Sequence, residues 1–307
     1  MSDTTASPPV ELAARGLFDL AASTRFLEGF APANRPDAAT EPGLLRLAFP
    51  AETGWAPVGA AVRQRNGSVT VELTGDGGDH PAAADQVARI LSLDVDGSGF
   101  LDVGRRDPVV AGLQARYPGL RPVQFHSPYE AACWAIIGQR IRITQAAAIK
   151  TRLAEQLGLP VTVAGQQLTA FPAPQQLRDR PLSGLPTVKV EWLRAVADAA
   201  LDGRLAATRL RSLGTDEALE ELTQISGIGT FSAQLILARG AGHPDLFPTA
   251  ERRLHDEMAH AYALDDPTLD RLTTIADSWR PYRTWVGLLL RTRREDDTNE
   301  ISQGTRR

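Results

Sequence analysis

The sequence predicts an α+β protein in which a small mixed α/β domain, residues 11–118, precedes an all-helical region, residues 119–294. Three observations predict it. Short apolar alternations bounded by turn residues crowd the first third of the chain, and apolar or amphipathic runs of helical length fill most of the rest. Between two of those runs stands a glycine-punctuated turn, Gly227-Ile228-Gly229.

In order, residues 16–20 predict a strand and residues 21–30 a short helix. Strands are expected at 44–49, 58–64 and 68–73, the last two joined across Asn66-Gly67, the strongest short hairpin signal. Residues 82–93 have the spacing of an amphipathic helix. Asp94-Val95-Asp96-Gly97-Ser98-Gly99 imitates the front of a calcium loop, but Arg105 stands where a bidentate Glu is required, so a solvated acidic turn is expected.

Ser127-Pro128-Tyr129-Glu130 carries Ser at the N-cap, Pro at the first helical position and Glu at the third, and opens an apolar helix through Ile137. Cys133 within it is expected in the core. The polar break Gly138-Gln139-Arg140-Ile141-Arg142 separates this helix from a second, 145–157, and reads either as a plain linker or as a loop that meets DNA. Helices are expected over 185–202, 216–222 and 231–239, then a turn and a helix with Glu251 in its first turn, and an apolar helix through Leu290. Residues 280–294 hold five arginines and no acid. The termini, 1–10 and 295–307, read as disordered tails.

In the central turn, glycine permits positive φ and close approach of a ligand, while Ile228 plugs the turn into the core. The helix that follows offers unpaired N–H groups and the positive end of its dipole, a site suited to a nucleic-acid phosphate. A tight turn with no ligand fits the same residues.

Composition bounds the function. The chain has 307 residues, 43% hydrophobic and 23% charged, enough for two or three domains. No apolar run approaches the ~20 residues of a membrane span, and the polar start is unlike a signal peptide, so a cytoplasmic protein is expected. Cys133 is the only cysteine, which excludes an internal disulfide and an iron–sulfur cluster held by the chain's own cysteines. The net charge of −4 is unevenly spread: residues 1–120 carry 10 Lys/Arg against 15 Asp/Glu, whereas 121–294 carry 21 against 18. A mildly basic helical region suits a few phosphate contacts rather than the coating of a long duplex.

Three stretches, taken together, resemble the helix-hairpin-helix DNA glycosylases, and most of all their DNA-3-methyladenine glycosylase II branch. They are Tyr129-Glu130 through Gly138-Gln139, the hairpin Ile225-Ser226-Gly227-Ile228-Gly229 with Ser232-Ala233, and Phe247-Pro248 with Trp279-Arg280-Pro281-Tyr282-Arg283. Their order and spacing fit residues 120–292, and the mixed α/β domain in front fits this branch. The resemblance implies two helical subdomains flanking a cleft, where double-stranded DNA containing a damaged base is bent and the nucleotide is turned out. It implies monofunctional hydrolysis of the N-glycosidic bond of alkylated purines, of 3-methyladenine and 7-methylguanine type, leaving an abasic site. A monomer associated with the nucleoid, requiring no cofactor, is expected.

Residue by residue, the resemblance assigns DNA binding to Gln139, Arg140, Gly227, Ile228, Gly229, Thr230 and Ser232, with Arg140 at the position that fills the gap left by the extruded base. It assigns a sodium or potassium ion to the main-chain carbonyls of Thr223, Ile225 and Ile228. A cationic purine favours stacking on electron-rich rings, which makes Trp134, Phe231 and Trp285, with Phe18 from the first domain, candidates for the base pocket; each also fits a core position. The family's catalytic aspartate is replaced by Glu251, the same charge on an arm one methylene longer. The alternative reading is therefore a catalytically weakened or inactive relative that binds damaged DNA. Asp245, Asp256 and Glu257 are nearby carboxylates at non-matching positions, and His255, one turn after Glu251, either pairs with it or lies at the surface. Bifunctional relatives use a lysine in the helix after the hairpin; here Thr230 and Phe231 stand there, and the only lysines are Lys150 and Lys189.

Overall fold

The computed structural model describes residues 7–33, 35, 37–75 and 79–299, so the first six and last eight residues, most of the two expected tails, lie outside the described residues. Four strands, β1 (Val10–Leu12), β2 (Leu44–Pro50), β3 (Pro57–Arg65) and β4 (Ser68–Thr74), form an antiparallel sheet in the order β1-β4-β3-β2. Alternation sets its inner face: Leu45, Leu47, Phe49, Val58, Val62 and Val71 are buried in one cluster under α1 (Leu20–Gly29) and α2 (His80–Ile90). Arg65 pairs with Ser68 across Asn66 (φ +51°) and Gly67 (φ +83°), the two left-handed residues that a tight hairpin turn needs.

The strand expected at 16–20 does not form. Gly16 turns the chain at φ +83°, and a Cβ on it would stand 2.4 Å from the Gly97 carbonyl carbon, so this segment docks on the acidic turn instead. The edge strand begins at Val10, and the Ser7 N–H donates to the Leu73 carbonyl (2.9 Å), which shortens the expected N-terminal tail. Nor is the acidic turn merely solvated. Asp94 pairs with Arg211, the Asp96 carbonyl accepts from the Tyr282 hydroxyl (2.7 Å), and the buried Arg121 donates to the carbonyls of Arg15, Leu17, Ser92 and Val95.

Helices α3 (Phe100–Arg106) and α4 (Pro108–Arg116) had no counterpart in the sequence reading, and they do not pack on the sheet. Val103, Val110 and Leu113 share a core with Leu254, Trp279 and Trp285, on the later helices α12 (Arg252–Ala261) and α14 (Arg283–Thr298) and the turn before α14. Residues 100–116 thus belong physically with the C-terminal helices, on the far side of the expected boundary at 118. Between α12 and α14, α13 (Leu269–Asp277) closes the group. α14 continues to Thr298, into the tail expected to be disordered from 295, because Arg116 pairs with Asp297 (2.7 Å) and the Tyr117 hydroxyl donates to Asp296 (2.6 Å).

The other helical core is built from α5 (Pro128–Gly138), α6 (Ile143–Leu157), α7 (Pro174–Asp179), α8 (Thr187–Leu201), α9 (Ala207–Ser212), α10 (Thr215–Thr223) and α11 (Thr230–Leu235). Ser127 caps α5, its Oγ accepting the Glu130 N–H (3.1 Å). From this group an unforeseen hairpin, β5 (Pro160–Val163) and β6 (Gln166–Thr169), reaches back across the sheet. It sets Val161 and Val163 on the outer face against Leu44, Ala48 and Ala61, and Thr74 Oγ1 donates to the Thr162 carbonyl (2.9 Å). No helix among the described residues is long and apolar enough to cross a membrane.

Candidate active site and nucleic-acid interface

After α10 the chain turns through Ile225-Ser226-Gly227-Ile228, closed by the Ile228 N–H donating to the Ile225 carbonyl (3.0 Å). Gly227 is fixed twice over: φ is +88°, and an added Cβ would lie 2.6 Å from the Trp192 ring. Ile228 is buried in the core, as its place between glycines suggested. Gly229 differs. Its backbone is extended (φ −99°, ψ −177°) and a Cβ there would meet nothing within 4 Å, so only one of the two glycines is needed for backbone conformation. What Gly229 leaves is open space in front of α11, whose start has no side-chain cap; the N–H groups of Thr230, Phe231 and Ser232 lie in that first turn.

α11 widens into a π-helical turn, Ile236–Gly240, a distortion that often marks a functional site. Beyond it the chain runs through buried Phe247 and half-buried Pro248 to Glu251. The approach is pinned by Gln234, buried on α11: its Nε2 donates to Thr249 Oγ1 (2.7 Å) and its Oε1 accepts the Ala250 N–H (3.0 Å). The two residues before Glu251 are therefore tied to the helix that follows the hairpin, and Glu251 stands at the N-cap of α12 rather than inside its first turn.

These elements border an open cleft of about 1170 Å³. Trp134, Gln139, Arg140, Phe231, Ser232 and Glu251 all line it, so the structure brings together expected residues that are more than a hundred positions apart in sequence. Phe231 is 46% exposed, unusual for a large apolar side chain, while Trp134 is buried at the edge of the cleft. Trp285 is absent from the lining, which corrects its assignment to the base pocket. It is 2% exposed, edge-on to Phe100 (5.1 Å, 69°) and covered by the Arg121 guanidinium (5.2 Å), and α14 faces the cleft instead with Leu288 and Arg291. Phe18 is likewise buried under Arg121. Sequence reading missed Phe26 on α1, Phe30 at its C-cap, Phe125, and the arginines Arg239 and Arg291, all of which line the cleft. Only the i, i+4 spacing of Phe26 and Phe30 hinted at a shared face.

The Glu251 carboxylate is half-buried, with Oε1 3.7 Å from Arg291 Nε. His255 does not pair with that carboxylate: its Nε2 lies 3.0 Å from the Pro248 carbonyl and its ring packs on Phe247. The rival carboxylates are outside the cleft lining. Asp245 is held by Arg280 and Arg283 (2.8 Å each), Glu257 by Arg293 (2.7 Å), and Asp256 is exposed within 4.0 Å of Arg294. Burial, reinforced by Arg291, pulls the Arg239 guanidinium down to about 10, with Glu251 opposing the shift.

Across the cleft, the loop after α5 places Arg140 in the left-handed region at φ +59°, a strained conformation for a non-glycine residue, with its side chain exposed. Gln139 is largely occupied by the protein: its Nε2 donates to the Gly227 carbonyl (2.8 Å) and its own carbonyl accepts from Lys189 Nζ (2.9 Å), which also reaches the Ile137 carbonyl (2.7 Å). The loop that carries Arg140 and the hairpin are thus fastened together. Lys150 binds Glu130 (2.6 Å) and the Pro32 carbonyl (2.8 Å), and neither lysine lines the cleft.

No protein-family model matches the chain. The DNA-3-methyladenine glycosylase of Bacillus subtilis is 24% identical over 206 residues, covering 65% of this chain and 68% of the relative. DNA-3-methyladenine glycosylase 2 of Escherichia coli K12 is 26% identical over 226 residues, covering 71% and 74%. A solved 3-methyladenine DNA-glycosylase from Archaeoglobus fulgidus shares the fold with a TM-score of 0.77 over 95% of this chain and 99% of its own, at 19% identity. An 8-oxoguanine glycosylase/lyase of Clostridium acetobutylicum, solved with double-stranded DNA, does so with a TM-score of 0.60 over 85% and 90%, at 17% identity. Sequence and fold thus point the same way: the chain is similar to DNA-3-methyladenine glycosylases at 24–26% identity and shares the fold of a solved 3-methyladenine DNA-glycosylase.

Proposed function

We propose that the protein is a monofunctional DNA glycosylase that hydrolyses the N-glycosidic bond of alkylated purines in double-stranded DNA and leaves an abasic site. One observation carries this reading: a single cleft is lined by Glu251, by the exposed aromatic ring of Phe231 and by Ser232 from the first turn of the uncapped α11. In the proposed reaction the α11 amides hold a backbone phosphate, Arg140 enters the gap, and the base turns into the cleft beside Trp134 and Phe231. The bond from C1′ to the base nitrogen breaks with its electron pair leaving on the base. Glu251 stabilises the positive charge that develops on the sugar, and the water that adds at C1′ passes its proton by way of the Glu251 carboxylate to bulk solvent. Engagement of both lysines outside the cleft supports hydrolysis over an amine-linked intermediate.

The test is release of free base from duplex DNA carrying 3-methyladenine or 7-methylguanine, read against Glu251→Gln. The variant is expected to lose on the order of a hundredfold or more in rate while still binding DNA. Absence of release by the wild type, with binding intact, would favour a non-catalytic reader of damaged DNA.

A sodium or potassium ion fits the carbonyls of Thr223, Ile225 and Ile228 in kind. They are hard neutral oxygens at one turn, and Ile225 keeps a second lone pair beyond the bond it accepts from Ile228. Its expected signature is tighter DNA binding in potassium chloride than in tetramethylammonium chloride at equal ionic strength; equal affinity would remove the ion from the account.

A further inference from the structure

The Glu251 carboxylate sits at the end of a flexible arm that few contacts hold. Among the described residues it accepts no hydrogen bond, and its one ionic neighbour is Arg291 Nε at 3.7 Å. The Glu251 N–H reaches the Pro248 carbonyl only at 3.4 Å. Where the carboxylate stands is therefore set by the main chain in front of it, and that main chain is held at each residue. His255 Nε2 lies 3.0 Å from the Pro248 carbonyl, Thr249 Oγ1 accepts from Gln234 Nε2 (2.7 Å), and the Ala250 N–H donates to Gln234 Oε1 (3.0 Å). Because the Ala250 N–H can only donate, it fixes which end of the Gln234 amide is the oxygen and leaves the nitrogen for Thr249. Gln234 itself is 4% exposed and stands one turn along α11 from Thr230.

Resting on the glycosylase reading above, we infer that Gln234 is a positioning residue: through Thr249 and Ala250 it fixes the Glu251 carboxylate at a set distance from the turn of α11 that meets the phosphate. The short helix that grips the DNA backbone then also sets where the negative charge stands against C1′. Loss of the two bonds leaves the phosphate contacts in place but lets the carboxylate wander, so bond breaking slows while affinity for DNA holds. A displacement of about 1 Å is enough to cost on the order of a hundredfold in rate.

Single-turnover release of 3-methyladenine or 7-methylguanine, and binding to the same duplex, are measured for the wild type, Gln234→Met, Gln234→Glu, Thr249→Val, Glu251→Gln and the double variant Gln234→Met, Glu251→Gln. Gln234→Met keeps the length of the side chain without its bonds, and should lose about tenfold or more in rate at wild-type affinity. Gln234→Glu should stay within about threefold of the wild type, because a carboxylate accepts from the Ala250 N–H and the Thr249 hydroxyl alike, and a carboxylic acid repeats the pattern of the amide. Thr249→Val removes one bond at a residue outside the cleft lining, and should slow release by less than Gln234→Met does. In the Glu251→Gln background Gln234→Met should cost less than about threefold more, since it acts through the carboxylate. A wild-type rate in folded Gln234→Met overturns the inference, as does a loss of the same size in the Glu251→Gln background, a fall in affinity that accounts for the fall in rate, or a Gln234→Glu rate as low as that of Gln234→Met. A full rate in Thr249→Val also overturns it, by leaving only direct contact between Gln234 and the substrate, and this variant decides alone if Gln234→Met fails to fold. Release of neither base by the wild type overturns the glycosylase activity itself, and the positioning role with it.

Discussion

Gly227 and Gly229 are two residues apart and do unlike things. Gly227 occupies a left-handed position against the Trp192 ring, so Gly227→Ala combines backbone strain with overpacking and is expected to cost about 1–3 kcal/mol or more, read as a lowered melting temperature. Gly229 is extended and faces open space, so Gly229→Ala should melt like the wild type, and its methyl group would stand where a phosphate approaches α11. Fluorescence anisotropy with a duplex should show weaker binding for this variant alone; unchanged affinity would remove the phosphate from the hairpin. Single residues were legible in the sequence where chemistry singles them out, as with Glu251 after Phe247-Pro248. They were illegible where only direction matters: Trp285 and Arg291 share α14, yet the core claims the first and the cleft the second. Arg239 was unreadable because its partners, Phe26 and Phe30, lie some two hundred positions away.

Among elements, α5 and α6 are joined by a buried charge cluster. The Glu130 carboxylate, 2% exposed, lies 2.6 Å from Lys150 Nζ, and its other oxygen is 3.0 Å from His126 Nδ1, close enough for an ion pair but off the line of a hydrogen bond. Burial by itself would raise this carboxyl, but the charges of His126 and Lys150 outweigh it and hold Glu130 well below the usual carboxylate range. A carboxyl lowered on folding contributes its full stability above the unfolded value of about 4.3 and loses that contribution as pH falls below it. Glu130→Gln leaves Lys150 buried without its counter-charge and should lower unfolding free energy at neutral pH by about 3 kcal/mol, with the gap to wild type narrowing in acid. Denaturant titrations at pH 7 and pH 4 read both effects. The sequence announced this helix through Ser127-Pro128-Tyr129-Glu130, but the motif suggested a capping Glu, and the structure commits that side chain to the interior instead. The β5–β6 hairpin was missed although Val161-Thr162-Val163 alternates beside Ala164-Gly165, because Pro160 and the polar second strand weaken the pattern.

At the scale of the molecule, the order of the chain and the order of packing disagree. Residues 100–116 find their core only with α12 and α14, and the outer face of the sheet is covered only by residues 160–170. A fragment comprising residues 7–118 is therefore expected to carry its strands but leave Leu44, Ala48, Ala61, Val110 and Leu113 uncovered. It should bind a hydrophobic dye and aggregate where the full chain does not; a soluble, cooperatively melting fragment would show that the first unit closes by itself. Sequence patterning located the elements well because alternation and capping are local, but the grouping of elements into cores depends on contacts across the whole chain.

The β5–β6 hairpin thus has a bearing on synthesis. A ribosome delivers the sheet long before it delivers the strands that shield it, and the last helices, which bury α3 and α4, come later still. During that interval the nascent chain presents apolar faces that the finished protein hides, and slowing translation past Thr169 should make its yield depend on whatever binds those faces meanwhile.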